Sequence, residues 1–189
     1  MNIPFPNKKY QIIYADPPWN YAVFKSIHGG RLENQHYQAM RITDIYEIPI
    51  NEISDVNCIL FLWVTYPMLK EGLYCVRAWG FDYKTVAFTW VKLNKKSLTP
   101  FFGMGQWTRN NAEICLLGIK GNIKRQDASV SQIIMTTISE HSKKPLEIRN
   151  RIVQLMGDLP RIELFARPPK DRLFEDESYK GWDLWGNEV

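Results

Sequence analysis

Tyr10-Gln11-Ile12-Ile13-Tyr14-Ala15-Asp16-Pro17-Pro18-Trp19 is the stretch on which the reading of this chain turns. Its first six residues are apolar and rich in β-branched and aromatic side chains, the composition of a buried strand. The proline pair ends that strand abruptly. Proline fixes φ, donates no backbone hydrogen bond and pushes the residue before it out of the α region. A stiff loop therefore follows the strand and holds a carboxylate, proline carbonyls and an indole close together. Open α/β sheets bind their ligands at that carboxyl edge.

A carboxylate and a proline carbonyl are both acceptors, so together they suit an amino group with two N–H bonds to give. The indole offers a flat face to a planar ring. The exocyclic amine of adenine meets both demands. Its lone pair is delocalised into the ring, which makes it a poor nucleophile. Two acceptors on its hydrogens favour a pyramidal nitrogen whose lone pair is available. The plain alternative is an Asp-Pro-Pro turn beside a core tryptophan.

The rest of the composition narrows the field. The 189 residues suit a single domain spanning 1–189, with enough chain to bury a core. No run approaches the eighteen or more apolar residues of a membrane span, and the first residues lack the apolar core of a signal peptide, so a cytoplasmic protein is expected. Cys58, Cys75 and Cys115 lie far apart in apolar company and read as reduced core residues. The three histidines are scattered, and no metal site is expected. A net charge of +4 is compatible with a nucleic-acid partner without demanding one.

Outward from the motif, residues 21–34 are polar and glycine-bearing, a long loop beside the proposed site, closed by His36-Tyr37. Thr43 to Ile53 reads as a short helix broken at Pro49, with Thr43 as its cap. Cys58 to Thr65 is a continuous apolar run, a strand covered on both faces. Pro67 opens a helix with Leu69, Leu73 and Val76 on one face, ending near Gly80. Thr85 to Val91 is the next strand, so the three elements form an α/β unit with the expected right-handed crossover. Asn94 to Asn111 carries Lys95, Lys96, Trp107 and Arg109, a pattern that suits a single-stranded nucleic acid and equally a solvated loop. Strands follow at Glu113–Gly118 and Gln132–Thr137. Pro145 opens a helix with Ile148, Ile152 and Leu155 on one face and Gly157 past its end. Arg161 to Arg167 reads as a further strand, and a tail with Trp182 and Trp185 docks onto the domain.

These pieces resemble the DPPW-type adenine-N6 methyltransferases, the family of the catalytic subunit of the eukaryotic messenger-RNA adenosine methyltransferase and its bacterial and phage relatives. The landmarks run in the family's order over nearly the whole chain: Tyr14-Ala15-Asp16-Pro17-Pro18-Trp19, His36-Tyr37, Phe61 to Thr65, Trp79-Gly80, Gly105 to Trp107, Cys115 to Gly118, Lys144-Pro145, Ile162 to Pro168 and Gly186-Asn187. The resemblance implies a Rossmann-like α/β methyltransferase fold in which the catalytic motif precedes the cofactor-binding strand. It implies S-adenosylmethionine as methyl donor and adenine N6 in nucleic acid as acceptor, with DNA favoured over RNA. Asp16, Pro17, Pro18 and Trp19 would be the catalytic set, with Asp16 also beside the donor. By matching position, Lys144 would reach the donor's methionine carboxylate. Glu163, Leu164, Phe165 and Arg167 would line its ribose side, and Asn187 and Glu188 would lie beside its adenine and ribose. Tyr37 would sit in the acceptor pocket and Trp63 would support the site from the neighbouring strand; separately, the basic and aromatic composition of the Asn94–Asn111 loop puts Lys95, Lys96, Trp107 and Arg109 along the substrate strand. The family also contains non-catalytic subunits that bind nucleic acid and pair with active ones. A homodimer or pairing with a related subunit is thus another form the resemblance allows.

Overall fold

A computed structural model of the chain describes residues 3–20, 39–105, 107–138, 144–168, 177–187 and 189. Among the described residues, seven strands form one sheet: β1 (Tyr10–Ala15), β2 (Ser54–Val64), β3 (Asp82–Leu93), β4 (Ala112–Lys120), β5 (Ile133–Thr137), β6 (Arg161–Leu164) and β7 (Trp182–Trp185). Their order across the sheet is β5-β3-β4-β2-β1-β6-β7. All run parallel except β4, which lies antiparallel between β2 and β3.

From β1 the chain steps to β2 on one side, and later to β6 on the other. Asp16 and Phe165, the residues just past β1 and β6, therefore stand at the point where the strand order reverses. That crevice is where open α/β sheets take their ligands. The antiparallel β4 adds something a purely parallel sheet would not. Its amino-terminal residues, not its last ones, lie at the carboxyl edge of the others, so Glu113 arrives beside the end of β2, whose Val64 pairs with Ile114.

Helices cover both faces. Helix α2 (Leu69–Ala78) packs Cys75 and Val76 against Leu60, Leu62 and Val64 of β2 and Leu116 of β4, joined by Ile45 of the short α1 (Ile42–Tyr46). Helix α3 (Glu147–Met156) packs Ile148, Ile152 and Met156 on the other face, against Ile12, Tyr14, Ile59 and Phe61. Its C-terminal Gly157 adopts φ +87, a left-handed turn that glycine enters without a Cβ clash.

Several expectations need correction. Thr43 lies inside α1, and the cap position is Arg41, with no side-chain cap. Leu73 is exposed, because the buried stripe of α2 runs through Gly72, Cys75 and Val76, where Gly72 lets the helix approach Val64. β2 and β3 are parallel but not neighbours, since β4 is threaded between them. The strand expected over Arg161–Arg167 stops at Leu164, where Phe165 turns to φ +60. The tail does more than dock: Trp182–Trp185 adds the parallel edge strand β7 beside β6.

Candidate active site

Asp16 leaves the end of β1 and is only partly exposed. Its carboxylate oxygen Oδ1 lies 2.8 Å from Nζ of Lys144, which sits just ahead of α3. The same ammonium lies 3.1 Å from Oε2 of Glu113 at the head of β4. The other oxygen of Glu113 is taken by Nζ of Lys92, near the end of β3. Four charges from four segments of the chain thus form one continuous line along the carboxyl edge: Asp16, Lys144, Glu113, Lys92.

Burial is what gives this line its strength. The side chains of Lys144 and Glu113 are 13% and 11% exposed, so their charges are poorly screened. Burial pushes the Lys144 ammonium down, but Asp16 and Glu113 outweigh it and hold its pKa above the usual lysine value. Burial pushes the Glu113 carboxyl up, yet Lys144 and Lys92 outweigh that and leave it below the usual carboxylate value. Both groups are charged at neutral pH. An ammonium has three N–H bonds to donate. Asp16 and Glu113 engage Lys144 here, leaving it the capacity for a third acceptor such as a carboxylate.

The Pro-Pro-Trp segment is anchored inward. Trp19 N–H of the backbone donates to the Pro17 carbonyl at 2.8 Å, and Met40 N–H donates to the Pro18 carbonyl at 3.1 Å. Each carbonyl oxygen retains a second lone pair. The Trp19 indole donates at 2.9 Å to the carbonyl of Trp63, and the ring is 6% exposed within the core. A stacking face on Trp19, expected from the sequence, is therefore largely covered. The indole instead pins the motif to the end of β2.

Trp63 is buried as well. Its indole donates to the Tyr14 hydroxyl at 2.8 Å, and its ring centroid lies 5.5 Å from Lys144 Nζ. It supports the charged line from below, within cation–π range, and its side chain does not reach the surface. Tyr14→Phe strands that indole N–H. A fall in unfolding free energy of about 1–3 kcal/mol is expected in urea titration; an unchanged midpoint would show that the bond contributes nothing.

The residues expected around the donor divide. Phe165 and Ala166 turn away from β6, and Ala166 N–H donates to the Trp185 carbonyl at 3.1 Å. Gly186 crosses so close that a Cβ there would meet Ala166 N and Phe165 Cα at 3.1 Å. Asn187, the residue after this crossing, is exposed. Arg167 is half-buried, and its carbonyl accepts from the Tyr179 hydroxyl at 3.1 Å. Glu163 and Leu164 point inward instead. Leu164 is wholly in the core. Glu163 accepts two hydrogen bonds from Arg149 of α3, at 2.6 and 2.9 Å, and both residues are buried. A carboxylate inside a sheet needs such a partner, and this pair ties α3 to β6. Lys95, Lys96, Trp107 and Arg109 are exposed on the segment between β3 and β4, Trp107 at 96%. Tyr37 and Glu188 lie outside the described residues, as does the loop at 21–34.

Glu113 and Lys92 were not singled out from the sequence. An acid heading an apolar strand was the only signal, and it did not tell which face the carboxylate would take.

Comparison with known proteins decides the family. The MT-A70 family model matches residues 10–188. The chain belongs to the MT-A70 family. That family is one of adenine-N6 methyltransferases with a Rossmann-like α/β fold, in line with the sheet described above. Among its relatives, the Type II methyltransferase M.MunI of Mycoplasma sp is 30% identical over 201 residues, covering 97% of this chain and 79% of that protein. The human N(6)-adenosine-methyltransferase catalytic subunit METTL3 is 29% identical over 162 residues, 85% of this chain and 26% of that protein. An Arabidopsis thaliana N(6)-adenosine-methyltransferase MT-A70-like protein is 27% identical, with 95% and 24% covered. This MT-A70 chain thus spans about four-fifths of the first relative and about a quarter of the other two.

Proposed function

We propose that the protein uses S-adenosylmethionine to methylate N6 of adenine in DNA, working as a single domain in the cytoplasm. The observation that carries this reading is the Asp16 carboxylate at the strand-order reversal, 2.8 Å from the buried Lys144 ammonium. That donor would supply a methyl group activated on a sulfonium. Lys144 would hold its carboxylate through the remaining N–H, and the turn at Phe165–Ala166, with Arg167 and Asn187, would hold its nucleoside end.

Asp16 and a proline carbonyl would accept the two N–H bonds of the adenine amine. The Asp16 charge then grows in value as the nitrogen becomes positive, which places its contribution in the transition state. Fixing both reactants at the same edge supplies the rest. Asp16, Lys144 and Asn187 are all present, which speaks against a non-catalytic partner subunit.

DNA is favoured because the relatives named for adenosine, the ribonucleoside, are matched over only about a quarter of their length, whereas M.MunI is matched over 79%. RNA is the second reading, supported by the 29% identity to METTL3. Incubation with labelled donor and separate DNA and RNA oligonucleotides tests the choice: label in DNA is expected, and label in RNA alone would reverse it.

The segment between β3 and β4 would grip the strand. It presents Lys95, Lys96 and Arg109 with the exposed Phe102, Met104 and Trp107. Neutralising the three cations together is expected to flatten the plot of log affinity against log salt by up to about 2–3 units, at roughly 0.7–0.9 per lost phosphate contact. Donor affinity should stay as it was. An unchanged salt slope would place the nucleic acid elsewhere.

A further inference from the structure

The line of charges runs on past Lys144 to Glu113 and Lys92, which neither the donor nor the adenine amine would touch. Glu113 is 9% exposed at the head of β4, and each of its oxygens faces a different lysine. Placing a carboxylate there costs solvation that a surface position would not. It also sets a negative charge near the place proposed for the donor's carboxylate. On charge alone, Glu113 should hinder donor binding.

The geometry points to Glu113 and Lys92 as positioning residues for Lys144: Glu113 fixes the direction of the ammonium, and Lys92 neutralises and orients Glu113. This rests on the reading of Lys144 as the donor-carboxylate lysine. Without Glu113, Asp16 is the one carboxylate among the described residues that stays beside Lys144, at 2.8 Å, and the ammonium loses its hold on the Glu113 side. Held by that one carboxylate, the ammonium turns about the contact and its remaining N–H bonds keep no fixed direction toward the donor. With Glu113 in place the ammonium is held from two sides, 2.8 Å from one acid and 3.1 Å from the other, above the Trp63 ring. Its third N–H keeps one direction.

Lys92 completes the arrangement. Asp16 and Glu113 carry two negative charges, and Lys144 alone balances one of them. Lys92 balances the second, so Lys144 keeps its positive charge available to a further anion. Lys92 is also tied to the substrate-gripping segment: its backbone N–H donates to Asn111 at 2.9 Å and its carbonyl accepts from Phe101 at 2.8 Å. The residue that sets Glu113 is thus seated at the base of that segment.

The test is calorimetry of S-adenosylmethionine and of its demethylated product on the whole protein, with kinetics alongside. Glu113→Gln and Lys92→Met preserve shape, and melting curves report whether each variant is folded. Each is expected to weaken donor binding about tenfold and to raise the donor KM more than it lowers kcat. The double variant should bind no worse than about the weaker single variant, since Lys92 acts through Glu113. Lys92→Arg, which keeps the charge, should restore affinity to within about threefold.

The sign for Glu113→Gln is decisive. Tighter donor binding would mean that repulsion outweighs positioning, and the inference would be overturned. Unchanged binding in both single variants, with only a lower melting temperature, would make the pair purely structural and would equally overturn it. Additive losses in the double variant would break the link from Lys92 through Glu113. Should Lys144→Met leave donor affinity intact, the reading of Lys144 itself has failed; should Lys144→Met weaken it while the other two do not, only this inference has.

Discussion

Asp16→Asn is expected to lower kcat by at least about 10²-fold, nearly as much as Asp16→Ala, the scale of losing one preorganised polar group from a transition state. Asparagine keeps the shape and one acceptor oxygen. It loses the charge that stabilises a nitrogen becoming positive, and it gives Lys144 a poorer partner at 2.8 Å. Donor binding need not vanish, because Lys144 and the Phe165–Ala166 turn remain. The comparison of kcat with donor Kd in both variants checks this. Near-wild-type turnover of Asp16→Asn would move the acceptor role to the proline carbonyls alone.

Lys144→Met should act on two quantities at once. Donor affinity should weaken by roughly 1.5–3 kcal/mol, the range for a charge-assisted hydrogen bond to a carboxylate. Stability at neutral pH should fall by about 3–5 kcal/mol, since a buried acid loses its base. The pH dependence follows from the two shifted groups. The raised pKa of Lys144 makes its contribution complete below its unfolded value, about 10.4, and lost only as pH rises through the folded one. The lowered pKa of Glu113 makes its contribution present above about 4.3 and lost as pH falls through the folded value. At pH 7 both are in full force. In the variant, burial is opposed by Lys92 alone, so Glu113 takes a proton more readily. The gap in melting temperature between wild type and Lys144→Met should therefore narrow as pH falls from 7 towards 4. A gap that stays constant would mean that the charges of Glu113 and Asp16 are not what the lysine stabilises.

The strand before Asp16 and the proline pair after it were legible because both signals are local: an apolar β-branched run, and a residue type that cannot continue the ladder. The same holds for β2, whose apolar run from Cys58 is buried on both faces, and for α3, bounded by Pro145 and Gly157. What the sequence left open depends on partners far along the chain. Nothing in Ala112–Lys120 announces that this strand runs against its neighbours, yet that reversal brings Glu113 to the site. β7 is four residues long, too short for any period to register, and it exists because β6 offers it an edge. Arg149 and Glu163 are fourteen positions apart, and each looks like an interruption of an apolar pattern. An acid within an apolar strand implies a base packed against it. Trp19 and Trp63 were legible as neighbours of the motif but not as buried anchors, because aromatic side chains suit a core and a stacking face equally well.

The atom that receives the methyl group decides the function. The exocyclic amines of adenine and cytosine both present two N–H bonds to a pair of acceptors, so the Asp16 and proline geometry alone does not choose between them. Digesting DNA exposed to the protein and labelled S-adenosylmethionine, then separating the nucleosides by mass, reads the product directly. N6-methyl-2′-deoxyadenosine is the predicted label-bearing nucleoside in the wild type, reduced at least about 10²-fold in rate with Asp16→Asn. Label on N4 of cytosine, or adenine methylation that persists undiminished in the variant, would contradict the account.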